Sequence, residues 1–445
     1  MLIRLLHRLY LHGRRTVAWL RRRTTCAGAF VLVGWMLALS ASDPEQTLSL
    51  QMFVVLTGLI AMALVMTLFF RLPFSLERHP PRFATAGEVF SLRVRLTNLS
   101  AKAQRGLEYF EELRDPPVTL AEFDARLRPG RANRSFRLSD SLPPIRMAQT
   151  RPEALPSLPP KGTVEVTVRV LPHRRGPLVL TGGLVARRDP FGLFRAFSRV
   201  RKPHTVLVLP RRYPLPPLAL PGRTQYQRGG VAMAAGVGES EEFISLREYR
   251  QGDSLRRIHW RSTARRGEPI VKEFQDEHFT RHALVLDTFC EAAHDALFEE
   301  AVAVAASFAC TIPDQDSLLD LMFVGPDTVC VTTGRGVGHA QQMLEVLAAV
   351  RPCRENRVGD LRTLVLNHVE RLSGVLLVCL EWDDGRRDLA RRLRALNVPT
   401  LAMVLVRPGR VTPFDPGPPD AQPDRLLLLE SGRVGAGLRQ LESAA

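Results

Sequence analysis

The sequence has little cysteine. Six cysteines occur among 445 residues, and no two have the CxxC spacing typical of zinc sites and thiol redox motifs. They are scattered along the chain, mostly inside apolar runs, at Cys26, Cys290, Cys310, Cys330, Cys353 and Cys379. The pattern therefore suggests neither a zinc site nor a redox motif. We expect small buried thiols in a reducing compartment.

Acidic residues are outnumbered by basic ones, 45 to 61, which leaves a formal net charge of +16. Hydrophobic residues make up 45% and charged residues 24%, a globular balance that argues against wholesale disorder. Most of the excess is arginine, and much of it flanks the apolar N-terminal segments. Anionic lipid of the cytoplasmic leaflet is therefore the first candidate partner, ahead of nucleic acid.

Charge is missing altogether from two N-terminal stretches, 24–42 and 46–70. Each is close to the ~20 residues that cross a bilayer. The short link between them contains Asp43 and Glu45 but no basic residue, whereas arginines flank both sides. The positive-inside rule then predicts a two-helix transmembrane hairpin over 24–70 with both termini in the cytoplasm. Residues 1–23 form a basic leader, which we expect to lie on the inner leaflet. The alternative is a signal peptide cleaved near Ala41.

The soluble part begins with a β pattern. Residues 90–96 and 163–170 alternate apolar and polar side chains, and further strands are predicted at 178–181 and 206–209. Only residues 107–113 have a helical character. We expect a β-sandwich over 71–212, followed by a Pro- and Gly-rich linker over 213–240.

The pattern changes to alternating strands and helices over 277–445. Strands are predicted at 283–286, 318–324, 328–332, 374–380 and 400–406, and helices at 297–310, 340–350, 361–372 and 386–396. This order predicts a doubly wound α/β domain, in which ligands bind beyond the carboxyl ends of the strands.

The densest motif lies between these regions, over 241–276. Gly252 supplies a turn, Asp253 or Ser254 caps a helix, Gly267 ends it, and a strand follows at 270–274. The helix carries five arginines: Arg256, Arg257, Arg261, Arg265 and Arg266. They either pair within the chain, with Glu248, Asp253 or Glu273, or bind an acidic or phosphorylated partner.

Several segments resemble one known family. They are Leu246-Arg247-Glu248-Tyr249, Gly252-Asp253, Arg257-Ile258-His259-Trp260, Ala264-Arg265-Arg266-Gly267, Arg174-Arg175-Gly176-Pro177 and Asp189-Pro190-Phe191-Gly192-Leu193-Phe194. Together they are similar to the signature of the bacterial "domain of unknown function 58" family. The resemblance implies an inner-membrane protein whose α/β domain is similar to a von Willebrand factor A domain.

The resemblance also implies a role. Members of the family are commonly encoded beside AAA+ ATPases of the MoxR type and membrane proteins with transglutaminase-like domains. They are thought to act as adaptors with those ATPases in envelope or protein-complex maturation, without an established enzymatic activity.

One departure from the related domains concerns metal binding. Metal-binding von Willebrand A domains have Asp-x-Ser-x-Ser after the first strand, whereas Asp287-Thr288-Phe289-Cys290-Glu291 stands here. Both serines, which supply hydroxyl ligands to Mg²⁺, are replaced. Asp287, Thr288 and Asp383 remain as oxygen ligands for a degenerate site, since Mg²⁺ can keep several waters. We expect no resident cofactor.

The sequence therefore predicts a non-enzymatic membrane-anchored adaptor with no catalytic residues. The expected partner contacts are Arg247, Arg256, Arg257 and Arg261, and the expected shaping residues are Gly252, Asp253, Trp260 and Gly267. Two alternatives remain open. One is a hydrolase or ligand-binding domain that depends on a divalent metal, and the other is a basic nucleic-acid-binding protein.

Overall fold

A computed structural model describes residues 2–41, 47–120, 123–124, 127, 146–215, 227–228, 242–275, 278–290, 296–311, 317–333, 337–408 and 414–441. The chain divides into two compact units, Met1–Leu209 and Pro210–Ala445. The predicted linker at 213–240 lies mostly outside the described residues.

Three helices open the first unit: α1 (Leu2–Arg23), α2 (Cys26–Ser40) and α3 (Thr47–Leu68). Helices α2 and α3 pack together, because Trp35 Nε1 donates to Thr57 Oγ1 at 2.8 Å and Trp35 stacks on Phe53. Among the described residues one segment, Leu48–Leu68, is long and apolar enough to cross a membrane. Helix α2 has only 15 residues, which span roughly 22 Å of the ~30 Å hydrocarbon core. The predicted hairpin thus has one candidate span of full length.

Nine strands lie in the described part of the β region of the first unit. They are β1 (Phe74–His79), β2 (Phe83–Thr85), β3 (Phe90–Asn98), β4 (Leu107–Arg114), β5 (Ala148–Thr150), β6 (Glu153–Ala154), β7 (Thr163–Pro172), β8 (Gly176–Arg188) and β9 (Arg195–Leu209). One sheet has the order β1-β3-β7-β5 and the other β2-β9-β8-β4-β6. Both sheets contribute to one core, in which Leu92 and Val168 of the first lie in the same cluster as Leu178 and Val206 of the second. This is a sandwich of two sheets, and all four predicted strands are confirmed.

The helical character predicted for 107–113 is wrong, since this segment is strand β4. Leu107, Phe110 and Leu113 have the spacing of a helix face. In the strand the buried side chains are instead Leu107, Tyr109 and Glu111. Burial of Glu111 depends on Arg78, whose Nη1 lies 2.6 Å from Glu111 Oε1, and on the Tyr109 hydroxyl, which donates to Oε2. The ion pair of Glu111 with Arg78, which belongs to another strand, therefore outweighs the helix-like spacing of the apolar residues in 107–113.

The second unit is mostly α/β. Its strands are β10 (Gln227–Arg228), β11 (Glu242–Glu248), β12 (Ile270–Gln275), β13 (His278–Leu286), β14 (Ser317–Val324), β15 (Thr328–Thr333), β16 (Gly374–Cys379), β17 (Thr400–Val406) and β18 (Arg425–Glu430). Its helices are α4 (Trp260–Arg266), α5 (Ala296–Thr311), α6 (Val337–Ala349), α7 (Val358–His368), α8 (Asp384–Ala395) and α9 (Val434–Arg439).

The main sheet has the order β15-β14-β13-β16-β17-β18, with β15 antiparallel at one edge and the other strands parallel. The predicted strands and helices of this region are all present, whereas β18 and α9 were not predicted. Alternate residues of β13 face opposite sides of the sheet. Ala283 and Val285 pack in one cluster with Val365 of α7 and Leu393 of α8. Strand β14 lies on one side of β13 and strand β16 lies on the other. The order in which strands are added to the sheet therefore changes direction at β13.

The expectation of buried thiols is correct for one cysteine. Cys379 is buried at the end of β16, and burial raises the pKa of its thiol. Burial also raises the pKa of Cys330 to about 11, although this thiol is half-buried. Cys26, in contrast, is exposed on α2. The apolar run around Cys26 is a helix with an exposed surface, which explains why an apolar neighbourhood in the sequence does not mean burial here.

Candidate functional site

The signature motif folds into a small layer of its own. Strands β11 and β12 pair antiparallel, with Glu248 opposite Ile270, and α4 lies in the connection between them. The connection is held at its base, because the backbone N–H of Tyr249 donates to Pro269 O and that of His259 donates to Ile270 O. Thr263 Oγ1 accepts from the Ile270 N–H at 3.1 Å. We call this unit, residues 242–275, the signature hairpin.

The helix of the signature hairpin is shorter than predicted. It begins at Trp260 rather than after Asp253, and Leu255–Arg257 form a single 3₁₀ turn. Ile258 between them is extended and makes a β-bridge to Val271. A helix running through Ile258 would not allow this bridge, because the backbone groups of Ile258 would then form hydrogen bonds within the helix. The predicted end is correct, since Gly267 caps the helix with a left-handed φ of 79°.

Asp253 and Gly252 fix the turn that leads into the helix. Gly252 has a φ of 110°, which side chains with a Cβ rarely adopt. Asp253 accepts from both terminal nitrogens of Arg247, at 2.7 and 2.8 Å, and from the Arg250 N–H at 2.8 Å. These hydrogen bonds, led by that from Arg247, lower the pKa of Asp253 to about 2. Asp253 therefore stays charged, and its side chain shapes the turn instead of capping a helix.

This geometry changes the interpretation of two residues. Arg247, predicted to contact a partner, has its guanidinium bound to Asp253 within the hairpin. Trp260, predicted to shape the motif, has 69% of its surface exposed. Arg247 therefore helps to hold the turn while 34% of its side chain stays exposed, and Trp260 lies at the surface of the hairpin.

The outer face of the hairpin combines exposed arginines with exposed apolar side chains. Arg256 and Arg261 are exposed, as are Arg265 and Arg266 at the end of α4. Leu255 has 67% of its surface exposed, close in sequence to Trp260. The side chains of Arg257 and Glu273 lie outside the described residues. An exposed tryptophan with exposed arginines near it in the sequence has the composition of a binding hot spot. We call Leu255, Arg256, Trp260 and Arg261 the outer face.

A second charged cluster lies at the carboxyl ends of β13 and β16. Asp287 follows β13, and Asp383 is the N-cap of α8, accepting from the Arg386 N–H at 3.0 Å. The Arg386 side chain lies between the two acids. Its Nε and Nη2 are each 2.7 Å from Asp287 Oδ2, and its Nη1 is 2.7 Å from Asp383 Oδ2. The structure thus brings together two of the three predicted metal ligands, around a cation that the chain itself supplies.

The electrostatics of this strand-end cluster follow from burial. Burial raises the pKa of Asp287, while Arg386 and the N–H groups of Leu380 and Phe289 favour its charged form. Burial also opposes the charge of Asp383, but Arg386 overrides it and lowers the pKa of that carboxyl. Arg386 has only 4% of its side chain exposed, so the pair with Asp287 is shielded from water and from salt.

The oxygens proposed for a metal are therefore already used. Both Asp287 oxygens accept hydrogen bonds, and the Thr288 hydroxyl donates to Val324 O. A divalent ion would have to displace Arg386. The sequence contained a signal for this arrangement, namely an arginine three residues after Asp383, in the first turn of a helix. Sequence reasoning missed it because the pair with Asp287 joins residues 99 apart.

Comparison with known proteins gives one family match. A family described as "Protein of unknown function DUF58" matches residues 245–408, which include most of the signature hairpin and the strand-end cluster. The resemblance predicted from the signature is confirmed for this part of the chain. "Uncharacterized protein YeaD" of Bacillus subtilis (strain 168) is 27% identical over 126 residues, 28% of this chain and 31% of the relative. The match thus spans about a third of that curated relative.

Solved structures match only weakly. The CARDB domain of a Pyrococcus furiosus protein is 12% identical over 31% of this chain and 89% of that chain, with a TM-score of 0.17. Native alpha-2-macroglobulin from Escherichia coli is 17% identical over 39% of this chain and 22% of that chain, with a TM-score of 0.19. Neither likeness is strong enough to support an argument about fold or function.

Proposed function

We propose that this chain is a non-enzymatic, membrane-anchored adaptor whose outer face binds an acidic surface of an AAA+ ATPase of the MoxR type. The observation that supports this most is the division of the arginines in the signature hairpin. Arg247 holds the turn through Asp253, whereas Arg256 and Arg261, the latter next to Trp260 in the sequence, are exposed. A rigid base with cationic and aromatic groups on its outer side suits recognition of a folded acidic partner.

The membrane anchor is part of the proposal. Helix α3 would span the bilayer, and α2, which packs on it through Trp35, would complete a hairpin with both termini in the cytoplasm. The large apolar side chains of these helices are widely exposed: Phe30 by 78%, Leu48 by 78% and Val55 by 67%. Apolar area on this scale is unfavourable in water and favourable in lipid. The shorter α2 would be accommodated by local thinning of the bilayer.

The α/β region would serve as a von Willebrand factor A-like scaffold that works without a metal ion. Asp287 and Asp383 lie near the carboxyl ends of two strands, where such a domain would bind its ion, and Arg386 would supply the positive charge there. The partner ATPase, together with a transglutaminase-like membrane protein, would place the adaptor in envelope or protein-complex maturation at the bacterial inner membrane.

The experiment is crosslinked capture of the full-length chain from native membranes, followed by mass spectrometry of the captured proteins. The wild type is compared with Arg256→Glu/Arg261→Glu. A matched control, Arg433→Glu/Arg439→Glu, makes the same charge change at exposed positions near α9. The proposal predicts that an AAA+ ATPase is captured by the wild type and the control and is lost with the outer-face variant. Equal capture by all three would place the contact elsewhere, and capture of no ATPase would end the adaptor assignment.

A further inference from the structure

A cavity of about 490 Å³ lies in the first unit, between the end of α1 and the sheet formed by β4, β8 and β9. Helix α1 contributes Trp19, Arg22 and Arg23 to the wall, and the sheet contributes Leu184, Phe197 and Arg199. The volume is within the range of small-molecule sites, roughly 300–1,000 Å³. The sheet side also includes Glu112, so it combines the apolar Leu184 and Phe197 with an ion pair of Arg199 and Glu112, whereas the helix side carries Arg22, Arg23 and the Trp19 ring.

The charges in this cavity do not cancel. Arg199 lies 2.5 Å from Glu112, so these two side chains neutralise each other. Arg22 and Arg23 are exposed, and the guanidinium of Arg23 lies 4.9 Å from the centre of the Trp19 ring. The stacked arginine is held in place while keeping its hydrogen-bond donors available. Glu112 is the acidic residue of this lining, and because it pairs with Arg199, the charges of Arg22 and Arg23 are left uncompensated within the lining.

The backbone beside the cavity is fixed at the start of the apolar helices. Arg195 Nη1 donates to the carbonyl oxygens of Arg22 and Thr24, at 3.5 and 3.2 Å. Thr25 caps α2 by accepting from the Gly28 N–H, and the Thr25 N–H donates to Leu193 O at 3.0 Å. The cavity is thus about one helical turn from the first residue of α2. If α2 and α3 lie in lipid, the cavity lies at the depth of the phosphate groups.

The exposed face of α1 indicates the same surroundings. One side of this helix packs through Ile3, Leu6 and Tyr10 against Val118 and Phe123 of the segment that follows β4. Leu5, Leu9 and Leu20 lie on another side and are exposed by 57%, 60% and 48%. An amphipathic basic helix with an exposed apolar stripe and a tryptophan near its end is typical of helices that lie in the bilayer interface.

We propose that this cavity binds the headgroup of one anionic phospholipid. The phosphoryl oxygens would be held by Arg22 and Arg23, while the glycerol and the first acyl carbons would lie on Phe197 and Leu184. A phosphodiester attached to an apolar chain matches a wall with two uncompensated arginines on the helix side and with Phe197 and Leu184 on the sheet side. This inference rests on the membrane location proposed above, and it adds a specific lipid site to a general attraction for the leaflet.

The test is native mass spectrometry of the full-length chain in neutral detergent, titrated with phosphatidylglycerol, with phosphatidylcholine, and with phosphatidylglycerol plus inorganic phosphate. The variants are Arg22→Gln/Arg23→Gln and a matched control on the same helix, Arg4→Gln/Arg8→Gln. Phosphatidylglycerol should bind the wild type and the control about thirtyfold more tightly than phosphatidylcholine, given roughly 1 kcal/mol for each of the two arginines near anionic lipid. The cavity variant should lose this preference, and millimolar phosphate should leave the bound lipid in place.

Three results would overturn the site. They are equal affinity for the two lipids, an equal loss in both arginine variants, which would indicate a diffuse field, and displacement of the lipid by inorganic phosphate. Flotation of the same proteins with vesicles separates this failure from a failure of the proposed anchor. A chain that floats but shows no lipid preference loses only the site, whereas a chain that does not float loses the membrane location as well.

Discussion

The signature hairpin and the strand-end cluster both contain arginine–aspartate pairs, but their arginines differ in burial and pairing. At the strand ends Arg386 is buried and all of its charge is directed to Asp287 and Asp383. In the hairpin one arginine is held by Asp253, while Arg256 and Arg261 extend into solvent. Arginine content alone therefore does not indicate the role of these residues. Arginines that maintain the fold are buried or paired, whereas arginines available to a partner are exposed.

The largest effect is expected at the strand ends. Arg386→Met leaves Asp287 buried without a cation, and we expect a loss of about 3–5 kcal/mol in the free energy of local unfolding. Hydrogen exchange of the β13 and β16 amides in the full-length chain measures it. The double variant Asp287→Leu/Arg386→Met removes both charges and should recover more than half of the loss. A double variant no more stable than the single one would show that the pair matters only for packing.

The second-largest effect is expected on stability at acidic pH. Strand β13 carries a buried histidine that has no oppositely charged partner among the described residues. His282 has 3% of its surface exposed, and neither ring nitrogen has a hydrogen-bond partner among the described residues. Burial lowers the pKa of His282 to about 4 from its ordinary 6.5. The stability this group contributes is full above pH 6.5 and is lost as the pH falls from 6.5 to 4, about 3 kcal/mol in all.

His282→Leu should therefore flatten the pH dependence of the free energy of unfolding between pH 6.5 and pH 4. His368→Gln is the matched control, because it removes a half-buried histidine of α7 that is hydrogen-bonded to Leu364 O. The control should keep the acid sensitivity of the wild type. Equal slopes for the wild type and His282→Leu would mean that other groups cause the acid sensitivity.

The third effect is local and sharpens the contrast within the hairpin. Asp253→Asn keeps the size of the side chain but removes the charge that Arg247 binds. Backbone amides of β11 and β12 should then exchange severalfold faster, and those of β13 should not change. Arg247→Ala should act in the same way, and the two changes together should be less than additive because they remove one interaction. Full additivity would contradict a shared role.

The smallest effect on stability is expected at the outer face. Arg256→Glu/Arg261→Glu changes exposed side chains, so the free energy of unfolding should stay within about 0.5 kcal/mol of the wild type. Thermal unfolding of the full-length chain in detergent measures this. A large loss of stability would show that these arginines also maintain the hairpin, and the division drawn above would fail.

Much of the fold follows from the sequence. The strands and helices of the α/β region were predicted to within a few residues. Continuous apolar runs such as 374–380 indicate buried strands, and amphipathic stretches such as 386–396 indicate helices, without reference to the rest of the chain. Strand β4 at 107–113 was not predicted, because the burial of Glu111 in this strand depends on its ion pair with Arg78 of β1. The turn of the signature was predicted at Gly252 and Gly267, while the helix start was misplaced because Ile258 bridges to Val271.

The roles of the charged residues were harder to predict. Arg247, Arg256 and Arg261 look alike in the sequence, and only the structure shows that Arg247 pairs with Asp253 while Arg256 and Arg261 are exposed. Arg386 gave a weak local signal next to Asp383, and its contact with Asp287 depends on two strand ends meeting in the sheet. Periodicity predicts elements well, whereas ion pairs between distant residues require the tertiary fold.

The most direct measurement is a hydrogen-exchange footprint of the full-length chain in complex with the ATPase captured from native membranes. We expect slower exchange in peptides covering residues 255–266, with no change at the ends of β13 and β16. We also expect Arg256→Glu/Arg261→Glu to abolish this protection. Unchanged exchange over 255–266, together with protection elsewhere, would contradict the claim that the outward-facing arginines of the hairpin form the partner contact.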